Sequence, residues 1–532
     1  MTKKPLLGLA AAVAASAVVL AGCAGSTPAT EADRSFVIGA GDVESIDAIT
    51  FKSNFAATIN ANVYAGPLEQ QFEEADGYLM GLDEFEPHLL ESIEWNDDET
   101  VATLTLVEGL TFADGEPLDS SDLAYTLRRT LGDASYVSGS NRLFMRISDP
   151  EAAVAIVDES TVAVTLDAPS AAFERFLSLN TYGIVNAEIA EANAGDDGWA
   201  KEFFSRNATD SGPFAIDSWD FGQTMILTKN DNYLHADEVW ADSVTIQNIP
   251  DVNQRYLAVA NGDIDIAMDL PPQLLVQAES NPALKVTRMP SAELTYLGMN
   301  NAVAPFDNPL VRRAISYAIP YETIRDEVML GYAGGAYGAV TSTMETSLAL
   351  DAETGAYDTD LDEARDLLAQ AGVGDISVPL TVRSSVREYV DAATYIQEAL
   401  AEVGITVQIV LMDDAEYQTA LTNKEIGFFF AGWSSWGEDP FFQIRALFET
   451  GRVTNPVGYS NPKVDAAIAA GIQEADPELR QQISAEAQQI IIDEAPVAFL
   501  YVRDQPIVSR VDVSGFTRTV DGLLRLKFLT RE

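Results

Sequence analysis

Residues 427–440 read Gly-Phe-Phe-Phe-Ala-Gly-Trp-Ser-Ser-Trp-Gly-Glu-Asp-Pro, and this stretch restricts what the chain can fold into. Its apolar start has no polar alternation. It predicts a strand buried on both faces, which requires packed layers above and below a sheet. The run breaks at Gly432 into a loop carrying Trp433, Ser434, Ser435, Trp436 and the acidic pair Glu438-Asp439. Pro440 then opens an aromatic helix at Phe441-Phe442. Buried strands of open α/β sheets that end in such loops carry ligand sites.

The surrounding pattern supplies the layers. Helices at 252–261 and 272–278 alternate with strands at 243–249, 263–268 and 284–288, which predicts a parallel sheet. A second series has a helix at 361–371 stopped by Gly372, a strand at 378–383, a helix at 390–403 stopped by Gly404 and a strand at 405–411. Between about 80 and 205 the chain reads as an α+β insert, with a strand at 100–107 and a hairpin over 153–158 and 161–167. A chain of 532 residues exceeds one ordinary core.

Charge excludes one class of partner. Lys and Arg total 32 against 82 Asp and Glu, a net charge of -50. Nucleic acid needs a basic footprint, so no nucleic-acid partner is expected. One cysteine and two histidines give neither Cys-x-x-Cys nor His-x-x-x-His spacing, so no metal site and no cofactor are expected.

The first residues read as an export signal. Lys3 and Lys4 precede an apolar run from Leu6 to Leu20, too short to span a bilayer comfortably. Leu20-Ala21-Gly22-Cys23 resembles the bacterial lipobox, which implies lipidation of Cys23 and anchoring at the outer face of the cell membrane. Residues 24–34 then read as a flexible tether.

Three longer patterns resemble the family 5 extracellular solute-binding proteins, the peptide and nickel class of bacterial ABC importers. The first is Glu94-Trp95-Asn96-Asp97-Asp98 followed by Phe112-Ala113-Asp114-Gly115-Glu116-Pro117-Leu118. The second runs from Ser211-Gly212-Pro213-Phe214 to Lys229-Asn230-Asp231-Asn232-Tyr233. The third is Asn300 through Phe306-Asp307-Asn308-Pro309 to Ile319. The resemblance implies an α/β, two-lobed periplasmic-binding-protein-like fold of type II with an extra domain. It places an N-terminal lobe at 35–79, 207–293 and 503–532, an insert at 80–206 and a C-terminal lobe at 294–502. Crossing strands near 290–296 and 500–506 would form the hinge.

The same resemblance implies a monomer that binds a solute between its lobes and delivers it to an ABC permease and its ATPase. It points to Ser53, Asn54 and Phe55, to Arg383 and Arg387, and to the loop residues Trp433, Ser434, Ser435, Trp436 and Asp439. One departure bears on cargo. Where peptide-binding relatives carry an aspartate for the ligand ammonium, this chain has Trp436, whose indole cannot supply that pairing. Oligopeptide and oligosaccharide cargoes both stay open, because two tryptophans also suit stacking on a sugar face. The tryptophans could equally be core, and Asp439 could equally cap the following helix. An exported hydrolase is a further alternative. Gly432-Trp433-Ser434-Ser435-Trp436 comes close to Gly-x-Ser-x-Gly but lacks its last glycine. A surface adhesin or signalling receptor on the same fold is another.

Overall fold

The computed structural model describes residues 34–50, 53–344 and 357–532. Cys23 and the 24–33 part of the tether lie outside them. The strand Phe428–Ser434 is central in a six-stranded sheet, between Glu293–Met299 and Ile376–Arg383. Period-two alternation divides its side chains between two cores. Phe428 and Phe430 enter one with Leu297, Leu380 and Ile396; Phe429 and Ala431 enter the other with Tyr296, Ile444 and Phe499. Burial of each phenylalanine contributes on the order of 2 kcal/mol. Gly298 pairs with Phe429, and a Cβ there would lie 2.4 Å from the Phe429 ring. Only glycine lets the ring cross its neighbour.

The strand does not end at Gly432. Gly432, Trp433 and Ser434 pair with Thr295, Leu294 and Glu293, and this ladder carries it to Ser434. Cross-strand pairing outweighs the weak strand preference of one glycine.

A seven-stranded sheet forms the other lobe. Its order is Leu284–Met289, Gln505–Arg510, Ile266–Ala267, Ser35–Ala40, Ser243–Asn248, Thr224–Lys229, Phe214–Asp220. The parallel arrangement expected here holds only around Ser35–Ala40, which runs parallel to both neighbours. Gln505–Arg510 inserts antiparallel between Ile266–Ala267 and Leu284–Met289. Local alternation cannot register a strand that arrives from the far end of the chain.

Two segments connect these sheets: 290–292, between Leu284–Met289 and Glu293–Met299, and Asp504, between Val497–Arg503 and Gln505–Arg510. They hold each other. The Ser291 hydroxyl donates to the Arg503 carbonyl at 2.5 Å, and Arg288 pairs with Asp504 at 2.6 Å. Two short crossings are the places about which such lobes can rotate.

A four-stranded antiparallel sheet, Leu90–Trp95, Val101–Leu106, Thr161–Thr165 and Val154–Ile156, centres the insert. The boundary expected at 79/80 falls inside a hairpin, Leu68–Ala75 with Tyr78–Pro87, whose second strand also pairs with Thr517–Arg518. That hairpin cannot be divided between two domains without breaking its ladder.

Candidate functional site

A cleft of about 470 Å³ lies over the two crossings, with walls from both lobes. Ser291, Ala292, Glu293 and Arg503 to Pro506 form its floor. From the seven-stranded side come Asn54, Phe55 and Thr58, the segment Met268 to Pro271, and Arg518 to Gly522. From the other side come Ser385 to Glu388 and the end of the central strand, Ser434, Ser435, Trp436 and Glu438.

Local chemistry fixes the loop after Ser434. Gly437 has φ 73, a left-handed conformation that glycine adopts without a Cβ penalty. Asp439 then caps the helix Pro440–Phe448. Its carboxylate accepts from the amides of Phe441 at 2.9 Å and Phe442 at 3.0 Å, and it also pairs with Arg480. Those partners occupy it, and it lines a separate cleft of about 430 Å³ with Trp95, Arg175 and Arg480. Of its two open readings, the structure places Asp439 as the helix cap.

The two tryptophans part company. Trp433 packs against the core that contains Phe429 and does not line the cleft; its indole N–H is buried with no partner among the described residues. Trp436 lines the cleft and also packs against the core of the opposite lobe, with its ring edge-on to Tyr136 at 5.5 Å. The expectations near the N-terminus divide likewise. Ser53 accepts from the amide of Ala56 at 3.1 Å as the cap of Asn54–Val63, while Asn54 and Phe55 face the cleft. Arg387 lines the cleft with its guanidinium on Asp391 at 2.9 Å. Arg383 stands outside it, paired to Asp414 at 3.2 Å.

Apart from Arg387, sequence reasoning did not single out the charges that line this cleft. Glu388 faces Arg503 at 3.6 Å, and Glu438 forms a buried pair with Arg518. Burial pushes the Glu438 carboxyl up to about 7 against the pull of Arg518. Burial pulls the Arg503 guanidinium down, but Glu293 and Glu388 outweigh it and hold Arg503 above its usual range. Arg175, from the insert, donates to the Gly437 carbonyl at 2.9 Å. The usable signal was position: Glu293, Arg503 and Asp504 all fall in the segments expected to cross between the lobes.

The histidines, distant in sequence, come together elsewhere. Their rings stack at 5.4 Å beside Tyr233, and His88 Nε2 lies 2.6 Å from the Tyr233 hydroxyl. Among the described residues, no histidine lines the cleft that holds Ser434 and Ser435.

Comparison with known proteins agrees with this architecture. The sequence model of the bacterial extracellular solute-binding proteins, family 5 middle, matches residues 84–455. The chain is 26% identical over 439 residues to the probable D,D-dipeptide-binding periplasmic protein DdpA of Escherichia coli (strain K12), covering 82% of this chain and 83% of that one. It is 27% identical over 453 residues to the glutathione-binding protein GsiB of Salmonella typhi, covering 82% and 85%. Among solved structures, the substrate-binding protein CtaP of Listeria monocytogenes superposes with a TM-score of 0.81 at 24% identity, covering 94% of this chain and 99% of that one. DppA of Helicobacter pylori, in complex with the peptide STSA, gives 0.78 at 22%, covering 94% and 98%. At these identities the structures establish the two-lobed fold.

Proposed function

The chain belongs to the family 5 bacterial extracellular solute-binding proteins, and from that premise we propose that it captures a peptide or peptide-like solute between its lobes for an ABC permease and its ATPase. The observation that carries this reading is the cleft over the two crossings, lined from both lobes. A ligand held there touches both walls and the hinge floor, so its binding free energy favours the closed arrangement. The named relatives that bind dipeptides, glutathione and the peptide STSA support the cargo class.

The oligosaccharide alternative loses one of its two stacking faces, because Trp433 packs against a core and does not line the cleft. The hydrolase alternative has no histidine beside Ser434 and Ser435 to form a Ser-His pair, since both histidines stand with Tyr233 outside this cleft. In the proposed reading the protein is exported, monomeric and held to the membrane by a lipid on Cys23.

A thermal-shift screen of di- to pentapeptides against cello-, xylo- and malto-oligosaccharides tests the cargo. Native-state binding raises the unfolding midpoint. Peptide hits are expected; stabilisation by a sugar series alone would replace peptide with oligosaccharide.

A further inference from the structure

The charges of the cleft do not cancel. Three arginines line it, and each already faces a carboxylate: Arg387 with Asp391, Arg503 with Glu388, Arg518 with Glu438. Two of the lining acids are similarly taken, Asp504 by Arg288 at 2.6 Å and Asp521 by Arg525 at 2.7 Å. Two carboxylates remain, Asp269 and Glu293. Both line the cleft, and among the described residues neither side chain has a hydrogen bond or an ion pair within 4.0 Å, although both act on Arg503 at longer range. They stand on different parts of it. Glu293 is on the hinge floor, half-buried, and Asp269 is in the wall of the opposite sheet at φ 53.

A second observation points to an absent ligand. Ser435 lines the same cleft, is 3% exposed, and its hydroxyl has no hydrogen-bond partner among the described residues. Buried hydroxyls are ordinarily satisfied, so an orphan beside a cleft marks a place where a ligand group completes the bonding.

We infer that the cleft selects a solute bearing a positively charged ammonium or guanidinium group, received by Asp269 and Glu293, and that it provides no unpaired cation for a ligand carboxylate. This deepens the peptide reading and rests on the cleft of that reading. Arg503 is a single positive charge among Glu293, Glu388 and Asp269, and in a partly desolvated cleft that surplus of negative charge attracts a cation and repels an anion. A ligand carboxylate would have to displace Glu388 or Glu438 from its arginine and leave a buried acid unpaired, which is costly. A peptide whose carboxyl end is amidated or otherwise masked meets neither obstacle.

The test uses random peptide mixtures, two to five residues long, in three forms: free amine with C-terminal amide, free amine with free acid, and N-acetylated with free acid. Spermidine and agmatine serve as non-peptide cations. Calorimetric titration should rank the amide form tightest and the acetylated acid weakest. Glu293→Gln and Asp269→Asn, checked for unchanged unfolding without ligand, should each weaken the amide form about tenfold, the usual worth of one charge-assisted contact. Equal binding of the acetylated acid, or an amine preference unaltered in both variants, overturns the inference while leaving a peptide binder. Binding of spermidine or agmatine in a Glu293-dependent manner with no peptide bound sinks the peptide reading and keeps the inference. No binding by any cationic probe overturns the inference.

Discussion

Glu438, in the loop after the central strand of one lobe, forms an ion pair with Arg518, in the C-terminal segment packed with the other lobe, and both side chains are about 95% removed from solvent (6% and 5% exposed). The pair fastens the loop that carries Trp436 to the opposite lobe. Arg518→Met strands a carboxylate in a desolvated site and should destabilise the fold by about 3–5 kcal/mol. Burial already holds Glu438 up at about 7, above its unfolded value, so the folded form takes up its proton first as pH falls. The loss in Arg518→Met should therefore be smaller at pH 5 than at pH 8, because protonation removes the stranded charge. Urea unfolding at the two pH values reads this difference.

Trp433 and Trp436 should respond differently to truncation. Trp433 packs, half-buried, against a core, so Trp433→Ala should lower stability by about 1–3 kcal/mol and leave ligand affinity per folded molecule nearly unchanged. Trp436 lines the cleft and packs across the lobes, so Trp436→Ala should weaken binding of any screening hit by about tenfold or more. Chemical denaturation paired with calorimetry separates the two effects.

His88 gives the protein an acid-side weakness. Burial, the largest influence, holds its imidazole down at about 4 although Glu69 pulls the other way. Its folded pKa lies below the unfolded value, so stability is lost as pH falls from about 6.5 toward 4, where only the unfolded chain binds the proton. At pH 5 this amounts to about 2 kcal/mol. In His88→Gln, the fall in stability between pH 7 and pH 5 should be smaller than in the wild type by that amount. Parallel pH profiles for the two proteins would contradict it.

The proposed anchoring would rest on Cys23, which lies outside the described residues. Cys23→Ala should release the protein from the membrane fraction of its host into the medium or soluble extract. Retention in the membrane fraction would rule out the lipid.

What could be read from the sequence follows from the range of the interactions. The phenylalanine run at 428–430 announced two-faced burial because each residue's environment is set by strand alternation. Helices such as Val252–Asn261 and Leu361–Ala371 were legible because their caps and periodicity are local. The insertion of Gln505–Arg510 into the seven-stranded sheet, the meeting of His88 with His235, and the Glu438–Arg518 pair all join distant segments, and no local pattern encodes them. At the site, the loop marked in the sequence lines the cleft through Ser434, Ser435 and Trp436, but the direction of each side chain was not legible. Trp433 and Trp436 sit three residues apart, yet one still belongs to the paired strand and the other to the turn after it.

The central claim is that a peptide-class solute binds between two hinged lobes. Spin labels at Leu257 and Leu411, each 55% exposed and on different lobes, can be placed in a Cys23→Ser background that leaves no other cysteine. Their distance distribution should be broad without ligand and collapse to a single narrow population when a peptide hit from the thermal-shift screen is added. An identical distribution with and without a saturating hit would contradict binding by lobe closure.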